Sequence, residues 1–283
     1  MIILESASLD DRDTTSLIKQ TPFCFYFTTN GIFSIYDNQT YVKVNKESWI
    51  FTSVVVAISD GIHSPTHCLA FNTTGLYRFD LKSFVCTKLS NDNWGSVSAA
   101  ISVADHKVNG NVWVIALCAT GVFTVNPVTG KYVKVDKSSW SPGSIRAVSY
   151  STSNRTATIL TTLGIYNFST VDYSYKKLSK STSWLTARVG IDYDENHLLL
   201  LTSLGTFKVS KFNGEHNKVS SDAWPLARGI QHHSNGQILV IQSDKTYVLD
   251  PKTLQVSDFG YETWFTLTAI CNLNGVAWNY ITD

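Results

Sequence analysis

The sequence predicts an all-β fold: a six-bladed β-propeller of four-stranded antiparallel blades, closed by pairing N- and C-terminal strands. Three observations predict it. A unit of 40 to 46 residues recurs along the chain, six of the eight tryptophans occupy one slot of that unit, and strand and turn signals fill the remainder. A period of this length built only from strands corresponds to one blade.

Each unit runs Gly, apolar, aromatic, a short turn, a strand carrying Lys, then Trp. The first is Gly31-Ile32-Phe33, Tyr41-Val42-Lys43-Val44 and Trp49; the second is Gly75-Leu76-Tyr77, Lys88-Leu89 and Trp94. The third is Gly121-Val122-Phe123, Tyr132-Val133-Lys134-Val135 and Trp140; the fourth is Gly164-Ile165-Tyr166, Tyr175-Lys176-Lys177-Leu178 and Trp184. Gly205-Thr206-Phe207, Lys218-Val219 and Trp224 make the fifth, and Lys245-Thr246-Tyr247 with Trp264 a degenerate sixth. The tryptophans therefore stand 45, 46, 44, 40 and 40 residues apart.

Within a unit, alternating apolar and polar residues mark half-buried strands, as in Gly164 to Phe168. The leucine run from His197 to Thr202 suits a strand covered on both faces by neighbouring blades. Asn213-Gly214 and Asn235-Gly236 supply the positive φ that tight hairpins require, as do Asn109-Gly110 and Asn274-Gly275. The repeat opens mid-blade with Pro22 to Thr29 and ends mid-blade with Thr266 to Asn272 and Gly275 to Ile281. These ends are expected to share one blade, which removes an exposed sheet edge. One domain over 1–283 follows, with residues 1–20 as an N-terminal arm and 21–283 as the repeats.

Composition excludes several function classes. Net charge is +1 and charged residues are 16% of the chain, against the usual quarter or so, with no basic stripe for nucleic acid. No stretch approaches the roughly 18 apolar residues of a membrane span. Five cysteines without CxxC spacing argue against a full disulfide framework and against a zinc site. With no signal peptide at the start, the expected setting is cytoplasmic. Asn38, Asn72, Asn154 and Asn167 nevertheless head formal glycosylation sequons, and secretion by another route stays open.

The segments Gly31-Ile32-Phe33, Gly75-Leu76-Tyr77-Arg78, Gly121-Val122-Phe123 and Gly164-Ile165-Tyr166, each followed by its Trp, resemble tectonin-type and tachylectin-like β-propeller lectins. The resemblance covers roughly residues 22 to 270, with units longer than is usual in that family. It implies carbohydrate binding at several equivalent sites, one per blade or blade junction.

The candidate ligand-binding residues are Trp140 with Arg146, Trp184 with Arg188, and Trp224 with Arg228. An indole can stack on a pyranose face and a guanidinium fork can read paired hydroxyls or carboxylates. Ser53, Ser98 and Thr268 fill the arginine slot in the other units. The alternative is structural: tryptophans as wedges between blades, and arginines paired to Asp192 or Asp222. The repeated lysines are either donors to a ligand or stems lying along a strand with the head in water. Trp113 and Trp278 stand outside the period and carry no assignment.

Catalytic and metal signatures are thin. His232 and His233, adjacent on a strand, point to opposite faces and cannot chelate together. His63 and His67 lie in a loop. Asp192-Tyr193-Asp194-Glu195 suits a hairpin tip better than a calcium loop. No cofactor is expected. Three readings follow: a multivalent glycan-binding lectin without catalysis, a protein-interaction scaffold using a propeller face, and a metal-dependent propeller hydrolase or lactonase with an axial site. The last needs carboxylates that differ between blades, whereas the polar features here recur.

Overall fold

The computed structural model describes residues 22, 24–36, 41–58, 65–105, 111–141, 144–179, 183–233, 235–242, 245–260, 267–272 and 276–278. Six antiparallel sheets stand around one axis as a six-bladed propeller. The only helical turn among the described residues is a 3₁₀ segment, Ser183–Thr186.

Blade two illustrates the unit: Thr52–Ala57 lies nearest the axis, followed outward by His67–Asn72, Gly75–Asp80 and Cys86–Ser90. Blades three to six begin with the inner strands Val97–Asp105, Ile145–Ser151, Ala187–Asp192 and Ala227–His232. Blade one is the closure: Leu267–Asn272 supplies its inner strand and pairs antiparallel with Cys24–Thr28, followed by Gly31–Ile35 and Tyr41–Asn45. The expected sharing of one blade by the two ends therefore holds. The expected N-terminal arm lies outside the described residues.

The second C-terminal strand goes elsewhere. Val276–Trp278 pairs with the inner strand of blade three, Val276 opposite Ile101 and Trp278 opposite Ala99, rather than joining the closing blade. It also packs against the inner strands of blades one, two and four, so the chain itself enters the axial channel. Turn signals alone could not separate these two pairings, because both inner strands offer a free edge toward the axis.

The shape of the residues explains the repeat. Gly75, at φ +154°, opens the third strand of blade two, and a Cβ there would fall 2.6 Å from Lys88 Cε. The lysine stem occupies the space that glycine leaves, as Lys43, Lys134 and Lys218 do over Gly31, Gly121 and Gly205. The lysine sits cross-strand from the aromatic two residues after the glycine. Its ammonium then lies over that ring, 5.7 Å from Phe33, 5.5 Å from Tyr77, 5.9 Å from Phe123 and 5.7 Å from Tyr166. Cation–π contacts at such exposed places contribute about 0.5–1 kcal/mol each.

Blade six reaches the same arrangement from the opposite strand. Lys245 stands where the others have glycine, and Asp258 where they have lysine. The two meet at 2.7 Å, with Lys245 Nζ 4.9 Å from the Tyr247 ring. What reads as degeneracy along the chain is an exchange of positions in space.

All five cysteines are free thiols: Cys24, Cys68, Cys118 and Cys271 are buried and Cys86 is half-buried. Burial pushes the Cys86 and Cys118 thiols up to about 12, so they behave as small apolar core residues.

Candidate functional site: an open cleft between the third and fourth blades

The repeated tryptophans are covered. Trp140, Trp184 and Trp224 are 6%, 2% and 2% exposed, and Trp49 and Trp94 are buried alike. Each indole meets the aromatic of the following blade nearly edge-on. Trp49 lies 5.3 Å from Tyr77, Trp94 5.8 Å from Phe123, Trp140 5.8 Å from Tyr166, Trp184 6.1 Å from Phe207 and Trp224 5.9 Å from Tyr247. Tryptophan, aromatic and lysine thus form a column that joins successive blades, and the indoles of Trp140, Trp184 and Trp224 offer no open face to a sugar ring.

Arg146, Arg188 and Arg228 occupy a different place. Each sits at the second position of an inner strand where the register skips one residue, between Ile145 and Ala147, Ala187 and Val189, and Ala227 and Gly229. Ser53, Ser98 and Thr268 stand at the same skipped position in the other three blades. The slot read along the sequence is therefore a β-bulge repeated six times at one end of the axis. Such bulges re-aim a side chain and end regular pairing. Ser98 uses its place to donate from Oγ to the Trp140 carbonyl. Arg146 is 9% exposed, and burial, then the charge of Arg188, lowers its pKa to about 10. The two guanidinium groups are thus neighbours across a blade junction. Of the acids named as their structural partners, Asp192 lies 2.6 Å from Lys211 Nζ and Asp222 accepts from Ser220 Oγ.

The acidic cluster is a hairpin tip. Asp194 Oδ1 accepts from the Asn196 N–H and lies 2.8 Å from His197 Nδ1, and Oδ2 lies 3.2 Å from Lys208 Nζ. Among the described residues no group of three metal-ligating side chains comes together. His232 is exposed while His233 is buried 5.9 Å from Phe259, so adjacent positions do face apart. His67 does not lie in a loop but opens the strand His67–Asn72, where it pairs with Asp80 and lies 3.2 Å from its carboxylate, and His63 is outside the described residues. Partial burial opposes ionisation of Asp194, but His197, the Asn196 N–H and Lys208 outweigh it and hold the carboxyl at about 2. Because that is below its ordinary 3.8, its contribution to stability is present above about pH 4 and is lost as pH falls toward 2. Urea unfolding of wild type and Asp194→Asn should therefore differ at pH 5, with the difference shrinking by pH 2.5.

The open site is one that the period did not reveal. A cleft of about 330 Å³ lies between blades three and four, lined by Val103, Trp113, Ile115, Thr124, Arg155, Thr170, Val171 and Tyr173. It opens at the end of the ring opposite the arginine bulges, where first and second strands join. Trp113, on the strand Asn111–Cys118, is 39% exposed, unlike the five described tryptophans of the repeat slot. Arg155 ends the hairpin after Ile145–Ser151 at φ 52°, and its carbonyl accepts from both the N–H (3.0 Å) and Oγ1 (2.8 Å) of Thr170. Tyr173, at φ 63°, occupies the left-handed turn position that Gly130 and Gly214 hold in blades three and five. The Trp113 indole N–H, the Arg155 guanidinium and the Tyr173 hydroxyl have no hydrogen-bond partner among the described residues. A platform, a fork and a hydroxyl thus surround one concave space, the arrangement of a small-molecule site. The signal available in the sequence was the departure of Trp113 from the period.

No family model matches the chain, and no curated protein matches it. Among solved structures it is similar to a chain of a nidogen/laminin complex, with TM-score 0.64 and 9% identity over 88% of this chain and 97% of that one. Virginiamycin B lyase from Staphylococcus aureus gives 0.56 and 10% over 90% and 89%. The extracellular domain of a one-component system from B. thetaiotaomicron gives 0.55 and 12% over 93% of this chain, which spans 39% of that one. At these identities the likeness is one of fold, shared by proteins of different roles.

Proposed function

We propose that this propeller is a carbohydrate-binding protein whose ligand ring stacks on Trp113 in the cleft between blades three and four. The observation that carries the reading is the exposed indole, lining one cleft with donors that have no partner among the described residues. An indole face matches the C–H face of a pyranose, and Arg155, Tyr173 and Thr124 stand where ring hydroxyls would lie. The cleft volume is near the lower end of the roughly 300–1,000 Å³ of ligand pockets, which suits one or two sugar units. Binding at one non-repeated site replaces the expectation of equivalent sites in every blade, because the repeated indoles are enclosed. The arginines at 146, 188 and 228 stand at the bulges at the other end of the ring and have no part in this site.

Protein binding has one observation in its favour. Ile50, Phe51, Leu163, Leu204 and Leu226 are 45–61% exposed in turns at the arginine end. A glycan array followed by calorimetry tests the first reading. A positive glycan should bind Trp113→Ala about tenfold more weakly, the scale of one aromatic stacking contact. Equal affinity for the variant, or silence across the array from folded protein, overturns the reading and favours the apolar rim.

A further inference from the structure

Among the described residues that line the cleft, Arg155 is the one charged side chain and none is a carboxylate. The nearest acid along the chain, Asp172, is turned into its own loop, where Oδ1 accepts from the Ser174 N–H (3.2 Å) and Oγ (2.8 Å). Those contacts with Ser169 and Ser174 hold its carboxyl below the ordinary range, so they serve the turn rather than the arginine.

The backbone under Arg155 is fixed. Its left-handed φ is uncommon for a residue with a long side chain, and two donors from Thr170, itself 5% exposed, hold its carbonyl. That anchor fixes where the side chain leaves the backbone, at the edge of the cleft. Arginine in this setting recognises a planar two-oxygen anion by parallel hydrogen bonds, which a neutral hydroxymethyl group cannot supply. Trp113, on the second strand of blade three, lines the same cleft and offers it an apolar face. A cation and an aromatic side chain lining one cleft, with no carboxylate among its described lining residues, are complementary to a ring that has an apolar face and a carboxylate at its edge.

We infer that the cleft selects acidic sugars, with Arg155 pairing the carboxylate of a uronic acid whose pyranose ring lies on Trp113. The inference rests on the carbohydrate reading of this cleft and adds the substrate class. The probes are matched pairs that differ only in the carboxylate: glucuronate against glucose, and galacturonate against galactose, each titrated calorimetrically into the full chain. The acid of at least one pair should bind about tenfold tighter than its neutral partner, on the scale of a hydrogen bond to a charged group. That preference should fall as salt rises, because a partly exposed pair is screened. Arg155→Gln should abolish the preference, so that acid and neutral sugar bind it alike, and Arg155→Lys should keep part of it. A circular dichroism spectrum and melting temperature like those of wild type show that the variant is folded. Equal affinity for acid and neutral sugar in wild type, with both lost in Trp113→Ala, overturns the acidic preference and leaves the carbohydrate reading standing. Binding of none of the four sugars by folded protein removes both. A preference for the acid that survives in Arg155→Gln assigns the carboxylate to another residue and overturns the role of Arg155.

Discussion

Replacing Trp184 by alanine should destabilise the protein by about 3–5 kcal/mol, the usual cost of deleting a buried large aromatic. Trp184 is among the largest fully buried side chains of the chain. It contacts Phe207 at 6.1 Å and the His216 ring at 4.7 Å, both in blade five, while belonging to the turn that leaves blade four. The apolar residues around it, Leu160, Ile165, Leu198 and Leu200 among them, come from both blades. A cavity there therefore loosens a junction and not one sheet. Trp184 Nε1 has no hydrogen-bond partner among the described residues, so Trp184→Phe gives up no bond and should cost much less. Urea unfolding of the pair checks this. Equal stability of the alanine variant and wild type would mean that the column does not join the blades.

The second large effect concerns the closure. Ile270 is fully buried, stands opposite Tyr26 in the seam and packs where Gly229 of blade six leaves room. Ile270→Asp places an unpaired carboxylate in that seam, and such a charge destabilises by several kcal/mol. The loss should exceed that of the same change on an outer strand, because it separates Leu267–Asn272 from Cys24–Thr28 and frees two strand edges. Open edges pair with other chains, so light scattering should rise together with the fall in melting temperature. A variant that melts earlier but stays monomeric would show that the ring holds without its seam.

The fold was legible in the sequence because a propeller repeats its local chemistry. Tryptophans at one slot, glycines opening the third strands and Asn-Gly turns are all local signals. The arginine slot was legible too: Ser53, Ser98, Arg146, Arg188, Arg228 and Thr268 were aligned by their distance from the tryptophan and prove to be one bulge. What could not be read was which tryptophans are covered. The cover over Trp140 is Tyr166, in the next blade, and whether two such rings meet depends on how the blades pack. The cleft was hidden for the same reason. Trp113 and Arg155 are far apart in sequence, belong to no shared period, and line one cleft because blade four lies beside blade three. The axial strand Val276–Trp278 was misplaced because pairing preference along the chain does not encode which of several free edges is nearest.

The exchange of Lys245 and Asp258 bears on how this repeat can be transplanted. Anyone composing a consensus unit from the six copies would average each column independently, and the sixth copy would look like noise at two columns. Those columns are not independent: one volume beside the aromatic ring must be filled by a cation, and either strand can deliver it. A hybrid that takes glycine from one unit and aspartate from another would leave that volume empty and a carboxylate without its counter-ion. The pair has to travel together as a single two-position letter.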